Sequence, residues 1–275
     1  MEIKTLSPAE IASVWVDNGV KKAANSALKT ILLAIFAGMF IGFGGFANIV
    51  AVGSIATEAA PGFGKLFGAA IFPVGLMLVI YCGAELFTGN NLLVVACMDK
   101  KITVSKLLRN WALVYIGNVI GSYLLAWIIY VAGSATSYVG VITSIANAKT
   151  NPDLTFTALM FRGILCNILV VLACWFQAAS KDLIGKIFAV WFPIMMFVFC
   201  GFEHSIANMF FLPLAQLHGA ELSTSVIWIK NLLPVTLGNI IGGAGIVSMV
   251  YYYVYVYKPT EERLPPHKSA RRKKK

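Results

Sequence analysis

The chain has 275 residues, 59% of them hydrophobic and only 12% charged, with a mean hydropathy of +0.79. That composition excludes a water-soluble domain and marks an integral membrane protein. The formal net charge of +10 includes a closing run, Arg271-Arg272-Lys273-Lys274-Lys275, which has no aromatic interleaving and no folded domain around it; this sets aside nucleic acid in favour of anionic lipid as its partner.

In chain order, residues 1–28 read as a cytoplasmic N-terminal helix. Ser7-Pro8-Ala9-Glu10 supplies its start and Val14, Val20 and Ala24 an apolar stripe; a signal peptide's basic region and cleavage site are missing. Six long stretches without Lys, Arg, Asp or Glu follow, at 30–57, 66–84, 110–148, 163–180, 187–202 and 231–257. A spanning helix takes about 20 apolar residues, so residues 29–257 predict six spans, with 258–275 as a basic cytoplasmic tail. Short apolar pieces at 86–98 and 205–217 follow the second and fifth spans and read as half-helices after a break. With both termini inside, 18 of the 22 Lys and Arg residues fall on the inner face. Only Lys65, Lys149, Arg162 and Lys230 remain outside, with Arg162 read as anchoring the outer end of the fourth span.

Two phrases occur twice. CGAELFTGN at 82–90 returns as CGFEHSIAN at 200–208, offset by 118, and Arg109-Asn110 with Gly117-Asn118-Val119-Ile120-Gly121 returns as Lys230-Asn231 with Gly238-Asn239-Ile240-Ile241-Gly242, offset by 121. Two phrases at nearly one offset divide the chain into halves of three spans, about 29–133 and 156–257. An odd number of spans per half places the second half upside down relative to the first. The fold class predicted is an all-α integral membrane protein of six transmembrane helices, an inverted repeat of three plus three with broken second and fifth helices. Gly, charge and small polar residues inside apolar sequence are costly in lipid, so each repeated phrase marks a break that lines a path.

His204 is the one histidine within a repeat, and the one intramembrane group able to exchange a proton near neutral pH. Thr88 occupies the corresponding break of the first half, and its hydroxyl can donate to an anion or an imidazole. Glu85 and Glu203 read as structural carboxylates accepting hydrogen bonds from backbone amides freed at the breaks. The five cysteines show no metal-ligand spacing and read as small buried residues. HSIAN is not a zinc-binding HExxH, so no metal and no cofactor are expected.

CGAELFTGN, RGILCN at 162–167, GFEHSIANMF at 201–210 and NLLPVTLGNIIGG at 231–243 together resemble the formate/nitrite transporter family of formate, nitrite and hydrosulfide channels, over roughly residues 20–257. The resemblance implies an aquaporin-like fold, one pore per protomer and a homo-pentamer in the cytoplasmic membrane, both termini inside. It also implies that Thr88 and His204 face each other at the pore centre. Phe72 and Phe197 would form an outer constriction, and Leu76, Leu86 and Phe87 an inner one. It further makes Asn167 a pore-lining residue and Lys149 a loop residue near the outer vestibule that attracts anions. The implied cargo is a small monovalent anion of a weak acid (nitrite, formate or hydrosulfide), and the wording of RGILCN and ELFTGN is closer to the nitrite and hydrosulfide branches. Dehydrating such an ion costs on the order of 20 kcal/mol by a Born argument, so a proton, from bulk water or from His204, is expected to help; whether anion or acid crosses stays open. An aquaporin-like neutral-solute channel is the alternative, although Asn-Pro-Ala repeats are absent. An intramembrane enzyme using Glu85, Glu203 and His204 is less favoured, since no nucleophile accompanies them.

Overall fold

The computed structural model describes residues 5–55 and 60–258, so the tail beyond Lys258 lies outside the described residues. Ten helices organise the described chain: α1 (Pro8–Ala23), α2 (Ala27–Ile55), α3 (Gly62–Tyr81), α4 (Gly89–Met98), α5 (Val104–Val131), α6 (Val139–Thr150), α7 (Phe156–Ala179), α8 (Leu183–Phe199), α9 (Ser205–Leu217) and α10 (Val226–Tyr255). Five of them, α2, α3, α5, α7 and α10, are long and apolar enough to cross a bilayer; α4, α8 and α9 are apolar but shorter. Outward-facing Leu32, Phe36, Trp127, Phe161 and Phe192 stay exposed, as side chains meant for lipid should.

Helix α1 starts on a reciprocal cap, with Ser7 N–H donating to Glu10 Oε2 at 2.7 Å and Glu10 N–H to Ser7 Oγ at 3.4 Å. Its buried face is Ile11, Ala12, Trp15, Val16, Gly19 and Ala23, whereas Val20 and Ala24 of the expected stripe are exposed. The register follows from packing against α4, where a Cβ on Gly19 would lie 2.5 Å from the Ala96 methyl. The capping bonds, the Ser7 hydroxyl first, hold the Glu10 carboxyl below its ordinary value of 4.5. A depressed carboxylate stabilises the fold above its unfolded value and loses that contribution as pH falls through the lowered one. Amides in the first turn of α1 are therefore expected to lose exchange protection, relative to the helix middle, between pH 6 and pH 3. A Ser7→Ala variant should show no such pH step if the cap is the cause.

Small residues bring two helix pairs together in matching ways. In the first half, a Cβ on Gly121 of α5 would overlap Ile35 O of α2; in the second, one on Gly238 of α10 would overlap Met160 O of α7. These are the glycines of the repeated Gly-Asn phrases, and backbones approach closely there because lipid offers no hydrophobic drive between helices. A Gly238→Ala change forces the two backbones apart. It is expected to cost at least about 1–3 kcal/mol, seen as a lower thermal midpoint of the purified protein, whereas Gly245→Ala, where a Cβ meets nothing within 4 Å, should be neutral.

Three local features depart from the sequence reading. The uncharged stretch 110–148 divides after Val131, where Gly133 takes φ 68°, and the chain continues as α6. Lys149 therefore sits in the last turn of a helix and not in a loop. Of the five cysteines, Cys82 and Cys200, the C-cap residues after Tyr81 and Phe199, are exposed and Cys97 is half-buried. Within α10, the segments Val226–Leu232 and Ile241–Ser248 have π-helical geometry, which no residue pattern announced.

Candidate functional site

The repeated Cys-Gly pair has a local physical meaning. Helices α3 and α8 end at Tyr81 and Phe199, and the next glycines, Gly83 and Gly201, take φ 78° and 72°, a left-handed conformation that suits only glycine. Ala84 N–H then donates back to Val79 O at 2.8 Å, and Phe202 N–H to Phe197 O at 3.0 Å, closing both helix ends identically. The chain leaves the helix, runs non-helically through Glu85 or Glu203, and re-enters helical geometry at α4 or α9.

Backbone groups freed at those breaks are taken up by the asparagines of the second repeated phrase. Asn118 Oδ1 accepts from Phe87 N–H at 2.9 Å, while its Nδ2 donates to Glu85 O and Ala34 O at 2.9 and 2.8 Å. Asn239 does the same in the other half: Oδ1 accepts from Ser205 N–H at 2.9 Å, and Nδ2 donates to Glu203 O at 3.0 Å and Gly163 O at 2.9 Å. Both side chains are fully buried, where an unmet amide or carbonyl would be expensive.

The carboxylates are not served by backbone amides, contrary to the sequence expectation. Glu85 Oε2 accepts from Asn90 Nδ2 at 2.6 Å and pairs with Lys22 Nζ at 3.0 Å; Glu203 Oε2 accepts from Asn208 Nδ2 at 2.6 Å and pairs with Lys149 Nζ at 3.0 Å. Each asparagine is passed on to another repeated one, Asn90 to Asn110 at 2.9 Å and Asn208 to Asn231 at 2.8 Å. One amide of each break, Phe87 N–H or Ser205 N–H, goes instead to Asn118 or Asn239. Each break thus carries a charge-neutral Lys–Glu pair, one lysine from α1 and the other from α6.

Between the breaks, Thr88 Oγ1 and His204 Nε2 lie 2.9 Å apart, both buried. Ala207 N–H donates to His204 Nδ1 at 3.1 Å. Because Nδ1 accepts, the single proton of the neutral ring belongs on Nε2, which donates to the Thr88 hydroxyl. The ring is flanked by Phe197, 5.8 Å away at 24°, which in turn meets Phe72 edge-on at 5.7 Å.

Three voids adjoin through shared walls, two of them at the His204 ring. A cavity of about 370 Å³ opens on the side away from the termini, bounded among others by Lys149, Glu203, Phe72, Phe197 and His204. A second, of about 260 Å³, lies beneath α1, bounded by Lys22, Glu85, Leu76 and Leu86. Between them is a pinch of about 10 Å³, walled by Ile41, Phe72, Leu76, Leu86, Val170, Ile194, Phe197 and His204. That space holds about one water at most.

Of the residues singled out from sequence, His204, Phe72, Phe197, Leu76 and Leu86 come together at the pinch, and Glu85, Glu203 and Lys149 border the cavities. Thr88 stands behind His204, with no exposed surface. Phe87 is absent from the walls of all three voids; its ring packs on Tyr115 and Trp111 at 5.0 and 5.9 Å. Asn167 is likewise off the path, donating to Asn239 O at 2.7 Å and toward Asn91 Oδ1 and Thr88 O at 3.3 and 3.4 Å. Arg162 borders the 370 Å³ cavity and was read only as an anchor. Lys22 and the asparagine pairs were missed as site residues, although the repeated Asn positions were a usable signal. Ile41, Val170 and Ile194 carry no signal at all, being apolar residues in apolar spans.

Two cavities, each bordered by a Lys–Glu pair and separated by a narrow, aromatic-flanked pinch, inside a bundle of membrane-length helices define a multi-pass membrane transport protein. The family model described as formate/nitrite transporter matches residues 9–253. The chain therefore belongs to the formate/nitrite transporter family. It is 39% identical over 267 residues to a probable formate transporter of Methanothermobacter thermautotrophicus, covering 91% of this chain and 97% of that one. To the formate channel FocA of Escherichia coli (strain K12) it is 36% identical over 271 residues, covering 91% and 95%. Among solved structures it resembles a pentameric formate channel with formate bound, at TM-score 0.76 and 36% identity over 84% of this chain and 98% of that one. An FNT family ion channel superposes at TM-score 0.80 with 29% identity, over 89% and 98%. Three of these four are named for formate.

Proposed function

We propose that this protein is a channel for small monovalent anions of weak acids, with formate first, then nitrite and hydrosulfide, in the cytoplasmic membrane with both termini inside. The observation that carries the reading is the position of His204, whose ring walls both the larger cavity and the dry pinch and is held through Nε2 by Thr88. In this reading α8 and α9 together make the fifth span and α10 the sixth, residues 29–257 form the channel domain as inverted repeats, and residues 1–28 and 258–275 flank it on the inner face. Five such protomers, each with its own pore, would assemble, as in the relative described as pentameric. No catalysis and no cofactor are assigned.

Lys149 on one side and Lys22 on the other offer ammonium donors to an anion in the cavity, and because each is paired with its glutamate, neither carboxylate repels the cargo. At the pinch, Phe72, Phe197, Leu76 and Leu86 exclude hydrating water. A bare monoanion there faces a Born cost on the order of 20 kcal/mol, and joining a proton removes it. His204 cannot supply that proton from its neutral form without becoming imidazolate, since Nδ1 is occupied by Ala207 N–H. The ring's single N–H, held by Thr88, therefore orients the permeant only by exchanging the Thr88 hydroxyl for it at Nε2, and the proton comes from bulk water through the cavity. Proteoliposome flux of formate, nitrite, hydrosulfide, chloride and urea tests this reading. Rapid flux of the weak-acid anions over chloride and urea supports it; urea flux without anion flux would move the protein to the neutral-solute class, and no flux would abandon the channel.

A further inference from the structure

The two cavities differ in charge, and the difference lies outside the Lys–Glu pairs. The larger cavity is bounded by Lys65, Lys149 and Arg162 against the single carboxylate of Glu203, whereas the one beneath α1 has only Lys22 and Glu85. Among the described residues the only ion pairs are Lys22–Glu85 and Lys149–Glu203. Lys65, in the first turns of α3, and Arg162, in the second turn of α7, thus bring to one cavity two positive charges that no carboxylate among the described residues pairs with. Lys65 Nζ rests 5.3 Å over the Phe199 ring, which steadies it beside that cavity.

We infer that Lys65 and Arg162 form a binding site for a compact dianion, such as a small dicarboxylate, at the mouth of the larger cavity. This extends the anion-path reading and rests on it. A dianion suits the pair because the guanidinium fork takes one carboxylate in bidentate fashion while the ammonium acts as a point charge on the other. It cannot go further: ion desolvation scales with the square of charge, so the dry pinch of about 10 Å³ that a monovalent weak acid passes by protonation is closed to a doubly charged ion. The site therefore acts as a one-sided plug, which dianions occupy only from the face opposite the termini.

The test is formate flux through the full-length protein in bilayers of known orientation, set by protease access to a tag at the C-terminus, with malonate added to one face at a time and ionic strength matched with chloride. Malonate opposite the termini is expected to halve the flux at a concentration about tenfold lower than malonate on the terminal face. Each variant is compared with its own uninhibited flux. Arg162→Lys, which keeps the charge and loses the fork, should weaken the block severalfold, and the double variant Lys65→Gln with Arg162→Gln should erase the difference between faces. Equal block from both faces, sidedness that survives the double variant, or malonate crossing the bilayer would each overturn the site. Absence of formate flux in the uninhibited wild type would instead sink the channel reading beneath it.

Discussion

Replacing Asn239 with alanine is expected to lower the unfolding free energy by about 3–5 kcal/mol. One side chain meets three backbone groups at the second break, Ser205 N–H, Glu203 O and Gly163 O, and no water reaches it to substitute. Each lost bond is worth about 1 kcal/mol, and each group left unmet in the interior adds about 1–3 kcal/mol. Against a total stability of about 5–15 kcal/mol, such a loss leaves little folded protein. Asn118→Ala should behave alike, because it serves the first break in the same pattern. Thermal unfolding in detergent reads both, and midpoints within a degree or two of wild type would mean that the breaks are held by something else.

The second large effect concerns charge. Lys149→Met removes the ammonium from a pair whose carboxylate is 4% exposed, leaving Glu203 with only Asn208 as a donor. Breaking a buried pair in this way costs about 3–5 kcal/mol unless the survivor changes state, and a lone carboxylate on the cavity wall repels anions. Formate flux is therefore expected to fall at least about tenfold. Adding Glu203→Gln removes the stranded charge while keeping a hydrogen-bonding side chain beside Asn208, and it should recover most of the lost flux. A double variant as inactive as Lys149→Met would show that the ammonium is needed for itself, and an active single variant would show that the pair has no role in permeation.

Much of this arrangement was legible in the residues, and the limits have physical causes. The duplicated Cys-Gly phrases fall where α3 and α8 end, because glycine stands out against apolar sequence. Their roles were only half legible: Glu85 and Glu203 were read as acceptors of backbone amides, yet they accept from lysine and asparagine side chains, while Phe87 N–H and Ser205 N–H go to Asn118 and Asn239. That exchange depends on which helix lies alongside, which spacing along one chain does not report. Lys22 was counted as one more inner charge, since nothing in an amphipathic lead-in says that its last turn reaches a membrane-buried glutamate. Hydropathy merged α5 with α6 because the turn at Gly133 carries no charge, and Lys149 was misplaced into a loop for that reason. Phe87 and Phe197 are equally bulky, and only the fold separates the ring at the pinch from the one packed on Tyr115.

The central claim is that His204, steadied by Thr88, orients a permeant that crosses the dry pinch together with a proton. The most direct measurement is simultaneous formate and proton uptake into proteoliposomes, for wild type and for His204→Asn. The account predicts about one proton per formate in the wild type. It predicts that a correctly folded His204→Asn protein loses that fixed ratio, or loses weak-acid selectivity over chloride. Wild-type formate uptake without protons, or a variant with unchanged ratio, rate and selectivity, would contradict it.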